Sequence, residues 1–325
     1  MPDRGIRRPL PDFLIIGAPK AGSTALHDAL ATHPQLYASP IKEPKYFLTD
    51  GTPPDPAAQR GPGDAHSARE WLWRRRDYER LFAQAPAGSV RFESTPFYLW
   101  DRTSHVRIAR TLGLDVKLIA VIRDPIDRAF SNWSHLRADG LEPEPDFLSA
   151  CLAESQRVAA GWAPFWRYLE LGRYGEQFEH LFRHVAPERV RVIRYRQLID
   201  APAQTLNDLC AFLGVDVKQV AHLPDSNLGR WADDGKINTQ FRRAIRAGAR
   251  LGAYTHPRLW RTAQRPLVAA LQRGNQPRPK LAREIRERLA NGFADDNALL
   301  GRLLGGDYKD WLSAEGRGMY TVRRS

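Results

Sequence analysis

Residues 13–26 restrict what this chain can fold into more than any other stretch: Phe13-Leu14-Ile15-Ile16-Gly17-Ala18-Pro19-Lys20-Ala21-Gly22-Ser23-Thr24-Ala25-Leu26. Four apolar residues, Phe13 to Ile16, are enough for a short buried strand. Small residues and Pro19 then mark a tight loop. Ser23 and Thr24 can cap a helix, and Ala25, Leu26, Ala29 and Leu30 recur at helical spacing. Strand, glycine loop and helix start bring backbone N–H groups and the positive end of a helix to one point, which suits a phosphate-like dianion. A plain strand–helix turn with an incidental lysine would use the same residues, so this stretch alone leaves both readings open.

The loop departs from the common nucleotide loop G-x-x-x-x-G-K-[ST]. Gly17 and Gly22 have that spacing, but Ser23 stands where the lysine belongs and Lys20 sits mid-loop. The usual lysine reaches the β/γ-phosphates of a nucleoside triphosphate; a lysine placed earlier should address a different atom.

The chain has 325 residues, 42% of them hydrophobic, so it can bury a sizeable core. A net charge of +12 implies an anionic partner. The excess is mostly arginine, spread along the chain without lysine tracts or Arg-Gly repeats, so nucleic acid is not expected. Cys151 and Cys210 lie in apolar, helix-like contexts and read as free buried thiols. Residues 1–12 are polar and proline-broken, and no apolar run approaches the ~18 residues of a membrane span. A cytoplasmic protein is expected, touching a membrane only peripherally if its acceptor is a lipid.

Along the chain, strands are expected at residues 35–39, 90–92, 116–122 and 190–195. Helices are expected at 68–82, 102–112, 174–184 and 201–214. The apolar run Val116 to Ile122 has the character of a central parallel strand. It ends in Arg123-Asp124-Pro125, with Asp124 as N-cap and Pro125 at the first helical position. Arg123 and Ser131 can face the same crevice as the first loop and clamp a second phosphate; a surface Arg–Asp pair is the plainer alternative. Glu43, flanked by Lys42 and Lys45, lies in a proline-fixed loop with Tyr46 and Phe47. Polar residues at a strand end, Glu93 to Thr95, are placed for binding. Trp162 and Trp166, with their aromatic neighbours, form either a core plug or an acceptor wall. Residues 51–67, rich in Pro, Gly, Asp and Ala, predict a mobile insertion, and Arg230 falls in a polar segment able to close over a nucleotide. Residues 237–325 read as an arginine-rich helical part. The whole reads as a single domain, 1–325, with a short tail over 1–12. The fold class is α/β: a P-loop-like three-layer sandwich, its central, mostly parallel sheet flanked by helices, with extra C-terminal helices.

The nine histidines show no metal spacing, and no metal is expected. There is no G-x-S-x-G elbow and no Rossmann G-x-G-x-x-G after the first strand. The central strand ends in Arg123, where a magnesium-binding aspartate would be expected of a nucleoside triphosphatase.

Taken together these motifs resemble the sulfotransferases that use 3′-phosphoadenosine 5′-phosphosulfate (PAPS). Residues 19–24 resemble their 5′-phosphosulfate loop. Ile122-Arg123-Asp124-Pro125 with Ser131 is similar to their 3′-phosphate motif. Lys42-Glu43-Pro44-Lys45-Tyr46-Phe47 is similar to the segment carrying the catalytic glutamate in heparan sulfate and related carbohydrate sulfotransferases. Glu93-Ser94-Thr95-Pro96-Phe97-Tyr98 resembles their substrate-side segment. The resemblance implies catalytic Glu43 and Lys20. It implies PAPS held by Lys20, Ala21, Gly22, Ser23, Thr24, Ala25, Arg123 and Ser131; Arg230 is added from the polar segment 225–236, which either closes over the nucleotide or is a plain surface loop. It implies sulfuryl transfer to a hydroxyl of a small-molecule or glycan acceptor (a carbohydrate, glycolipid or secondary metabolite), lined by Lys42, Lys45, Tyr46, Phe47, Ser94, Tyr98, Trp162 and Trp166. Two departures stand out. Ser94 replaces a lysine common in the family, leaving Lys42 or Lys45 to supply a second cation, and Arg196 replaces the glutamate of a later R-Y-E-D-L segment. Two rivals remain, a P-loop-type nucleotide kinase and a non-enzymatic polyanion-binding module.

Overall fold

A computed structural model describes residues 9–55, 60–62, 70–217, 235–254, 257–272 and 279–313. Strands β1 (Phe13–Gly17), β2 (Leu36–Ala38), β3 (Val90–Ser94), β4 (Lys117–Ile122) and β5 (Val190–Arg194) pair in parallel, in the order β2-β3-β1-β4-β5. Every residue of β1 is buried, as is all of β4 after Lys117. Strands covered on both faces need no polar alternation, which is why both read as continuous apolar runs.

The helices are α1 (Ser23–Ala31), α2 (Arg75–Arg80), α3 (Arg102–Leu112), α4 (Pro125–Ala138), α5 (Phe147–Leu152), α6 (Glu154–Ala159), α7 (Tyr174–Leu181), α8 (Tyr195–Asp200), α9 (Pro202–Leu213), α10 (Lys236–Tyr254), α11 (Pro257–Gln272), α12 (Arg283–Ala290) and α13 (Ala294–Leu304). From β1 the chain crosses to the β2 edge, and β4 later opens the other side of the sheet. The strand order therefore switches between β1 and β4, and the carboxyl ends of strands at such a switch are where open α/β sheets take their ligands. The Ala18 N–H donates to the Val121 carbonyl at 2.6 Å, holding the glycine loop against the end of β4.

Two local expectations are corrected. Of the helix expected over 68–82, only Arg75–Arg80 is α-helical among the described residues. The Leu72 N–H donates instead to the Pro44 carbonyl at 2.9 Å, a tertiary bond that competes with helix formation. β5 stops at Arg194 because α8 begins at once, with the Gln197 side chain accepting from the Arg194 N–H at 2.7 Å. Arg196 there pairs with Asp200 one turn on, at 3.0 Å, with both side chains about half exposed.

The core has two parts. One lies around the sheet, with Leu26, Phe178 and Leu209 from α1, α7 and α9. The other surrounds α4 and contains Trp133, Phe165, Trp166 and Tyr168 with Ile245 of α10 and Leu271 of α11. The aromatic segment after α6 is thus a plug: Trp166 is fully buried. Trp162 is half-buried, with the Arg157 guanidinium 4.9 Å from its ring centroid. Arg60, the described middle of the expected mobile insertion, pairs with this segment, its N–H donating to the Gly161 carbonyl at 2.7 Å. Cys151 and Cys210 are free and buried, and burial pushes both thiols up. Among the described residues no helix is long and apolar enough to cross a membrane.

Candidate active site

The first loop is shaped by its glycines. A Cβ on Gly17 would stand 2.6 Å from Leu99 Cβ. Gly22 takes φ +102° and a Cβ there would meet Tyr195 Cδ2 at 2.9 Å. Gly22, rather than Ser23 or Thr24, is the N-cap of α1, and no side chain caps this helix. Its first-turn N–H groups are thereby not taken by a side-chain cap, an arrangement that suits an anion. Ser23 is buried, Ala25 half-buried and Thr24 exposed at this helix start, with Ala21 buried beneath.

The loop carrying Glu43 meets this point directly. Lys42 Nζ donates to Thr24 Oγ1 at 2.6 Å. Burial pulls the Lys42 ammonium down from its ordinary range, and the neighbouring Glu43 opposes that shift. Alternate amides then anchor the loop to the end of β3. The Glu43 N–H donates to the Ser94 carbonyl at 3.1 Å, the Lys45 N–H to Thr95 Oγ1 at 3.3 Å, and the Phe47 N–H to the Tyr98 hydroxyl at 3.3 Å.

Among the described residues, the non-glycine positions with positive φ are Lys20 (63°), Glu43 (58°) and Lys45 (59°). A left-handed conformation costs an L-residue roughly 1–2 kcal/mol and persists only where surrounding contacts impose it. All three belong to the expected site, and nothing in the residue types announces the conformation.

Across the crevice, Arg123 leaves the end of β4 with its guanidinium 4.8 Å from the Tyr195 ring centroid. The same ring presses on Gly22, so Tyr195 links the first loop to Arg123. Asp124 caps α4 as expected, with Oδ1 accepting from the N–H groups of Ile126 (2.9 Å) and Asp127 (3.0 Å). Its other oxygen accepts from Arg286 of α12 at 2.8 Å, and Arg286 also bonds Asp127. Burial pushes the Asp124 carboxyl up to about 6, helped by Asp127 and opposed by Arg286. Ser131 is buried on α4. Asp139, at the C-terminal end of α4, is raised to about 6 by burial, and the Lys20 charge opposes this.

Several expected acceptor residues face inward. Ser94 is fully buried and shares a 2.7 Å hydrogen bond with His27 Nδ1, whose basicity burial and Lys42 both lower. Tyr98, Phe47 and Trp166 are likewise buried, so their side chains pack the walls and do not form an open acceptor face. Tyr46 is half-buried and stacks on Tyr78 at 4.3 Å. Lys45 is buried, its ammonium 5.8 Å from the Trp71 ring centroid. Arg230 lies outside the described residues. Three participants escaped the sequence reading. Tyr195 and Arg286 carried no local signal, and Glu93 was visible only as a polar residue at a strand end. Glu93 is fully buried, takes hydrogen bonds from Tyr78, Thr95 and Tyr98, and is pushed up to about 7 by burial. Among the described residues no group of three or more His, Cys, Asp or Glu side chains could hold a metal ion.

Residues 11–219 match the Sulfotransferase family. The chain belongs to that family. Human heparan sulfate glucosamine 3-O-sulfotransferase 3A1 is 29% identical over 214 residues, covering 66% of this chain and 46% of the relative. The bovine bifunctional heparan sulfate N-deacetylase/N-sulfotransferase 2 is 27% identical, over 63% of this chain and 22% of its own length. This sulfotransferase-family chain thus spans at most about half the length of these curated relatives. The crystal structure of a sulfotransferase from Alicyclobacillus acidocaldarius superimposes with a TM-score of 0.71 at 26% identity, covering 93% of this chain and 99% of the other. All of the described site residues, Arg286 excepted, lie inside the family match.

Proposed function

We propose that this chain transfers the sulfuryl group of PAPS to a hydroxyl of a carbohydrate-like acceptor, with Glu43 as the base. The observation that carries the reading is the Lys42–Thr24 hydrogen bond, which brings the Glu43 loop onto the anion loop. PAPS supplies an activated sulfuryl group on a 5′-phosphate; the uncapped start of α1 and the glycine-lined loop fit that anion. Lys20 and Lys42 set two positive charges where the leaving phosphate gains charge. Arg123 and Ser131 hold the 3′-phosphate, and Tyr195 braces Arg123. Glu43 takes the proton of the acceptor hydroxyl as its oxygen bonds to sulfur and the bond from sulfur to the phosphate oxygen breaks. Lys42 fills the place left by Ser94, which is turned to His27. Positioning and fixed charge carry most of the rate, and a carboxylate base adds typically ~10²–10⁴-fold.

A glycan acceptor is favoured by the heparan sulfate relatives. The test is transfer of labelled sulfate from PAPS into a glycan and metabolite extract, with calorimetry of adenosine 3′,5′-bisphosphate. Glu43→Gln should lower turnover by ~10²-fold or more and leave bisphosphate affinity nearly unchanged. Lys20→Ala and Arg123→Ala should weaken both. Tight ATP·Mg²⁺ binding with none for the bisphosphate would return the chain to the kinases, and an unaltered Glu43→Gln rate would remove Glu43 from the mechanism.

A further inference from the structure

We infer that Glu93 is a positioning residue that locks the Glu43 loop in its left-handed conformation by fixing the direction of two buried hydroxyls. The inference rests on the reading of Glu43 as the base. Glu93 sits at the carboxyl end of β3 with no exposed surface. Thr95 Oγ1 donates to Glu93 Oε2 at 2.9 Å and Tyr78 donates to Oε1 at 3.2 Å. Tyr98 also gives a side-chain hydrogen bond to this carboxyl. A hydroxyl has one proton and two lone pairs. Thr95 and Tyr98 also bond each other, and with the carboxylate accepting from both, each hydroxyl oxygen keeps a lone pair for the loop. There the N–H groups of Lys45 and Phe47 point at them, each at 3.3 Å.

The chain of donors therefore runs one way: loop N–H to hydroxyl, hydroxyl to carboxylate. Glu43 and Lys45 both hold positive φ within this stretch, and the anchored amides at 43, 45 and 47 oppose their relaxation. Above about pH 7, where it is ionised, Glu93 only accepts. A glutamine would present an NH₂ to one of the hydroxyls, occupy one of that oxygen's two lone pairs, turn its proton away from position 93, and so weaken the hold on the loop N–H.

Glu93→Gln, Thr95→Val and Thr95→Ser test this by three measurements on the full chain. These are deuterium exchange of the amides at 45 and 47, bisphosphate affinity, and release of labelled sulfate from PAPS. Glu93→Gln should speed exchange at both amides, and Thr95→Val at amide 45 whose acceptor it removes, by about tenfold, the loss of roughly one buried hydrogen bond. Sulfate release should fall by about tenfold or more while bisphosphate affinity stays within about twofold, a split between turnover and binding. Thr95→Ser, which keeps the hydroxyl, should behave as the parent. Should Glu93→Gln fail to fold, the Thr95→Val and Thr95→Ser pair decides alone. Exchange and sulfate release unchanged in Glu93→Gln, or in Thr95→Val, would overturn the inference. Absence of bisphosphate binding to the parent protein would instead sink the sulfotransferase reading, and the exchange data would still judge the clamp.

Discussion

Replacing Arg286 by methionine should destabilise the protein in a pH-dependent way. The guanidinium reaches from α12 across 162 positions of sequence to Asp124, and both side chains are at least nine-tenths buried. The partner oxygen of Asp124 caps α4 through two backbone N–H groups, directly after Arg123. Methionine keeps most of the volume but leaves a buried carboxylate beside Asp127. Breaking a buried ion pair from one side costs about 3–5 kcal/mol. Two backbone donors remain, and the Asp127 side chain is 32% exposed. The cost should therefore fall at the lower end, ~3 kcal/mol at about pH 8.

The sign with pH follows from the Asp124 carboxyl, which burial holds at about 6, above its ordinary 3.8. A raised carboxyl favours the folded state below the ordinary value and loses that contribution as pH rises through the folded one. Without Arg286 the folded value climbs further, so the loss extends to higher pH. The penalty should shrink toward ~1 kcal/mol near about pH 5, where the carboxyl protonates. Urea unfolding at both pH values measures it, and adding Asp124→Asn to the Arg286→Met variant should recover most of the loss at the higher pH. A penalty equal at the two pH values, or below ~1 kcal/mol at about pH 8, would show that the pair is not the buried, uncompensated charge argued here.

Other outcomes follow from single features. Gly22→Ala should abolish bisphosphate binding in calorimetry, since its φ is +102° and Tyr195 stands 2.9 Å from the new Cβ. Gly88→Ala, at φ +83° with nothing within 4 Å, should cost roughly 1–2 kcal/mol of stability and leave binding intact. His105 donates from Nε2 to the Leu99 carbonyl at 3.0 Å and accepts at Nδ1 from His180, so it is held neutral; burial lowers it to about 4. The unfolded chain then binds a proton that the folded one refuses, and this group removes ~2 kcal/mol of stability between about pH 7 and about pH 5. Urea midpoints of His105→Gln should fall less steeply over that range than those of the parent, and parallel slopes would refute the assignment.

The strands β1 and β4, the glycine loop and the Asp124–Pro125 helix start were legible because their causes are local. Continuous apolar runs, small residues at a turn, and a cap followed by proline act within a few residues. The aromatic segment at 162–168 was ambiguous for the opposite reason. Whether Trp166 plugs a core or faces an acceptor depends on what lies opposite, and here α4, α10 and α11 supply a covering wall. Ser94 read as a substrate contact because a strand end opens on a crevice, yet its hydroxyl turns back to His27 on α1.

The sequence by itself placed a lysine in mid-loop after the first strand, an arginine and a serine after the central one, and a glutamate between two lysines in a proline-fixed loop. Residue type and spacing are enough for that. Only the tertiary structure decided that Lys42 lands on Thr24, that Tyr195 couples Gly22 to Arg123, that Arg286 returns to brace Asp124, and that Glu93 stands behind the Glu43 loop. Each joins residues separated by tens to more than a hundred positions. Their partners are chosen by strand order and helix packing, and those are properties of the whole chain.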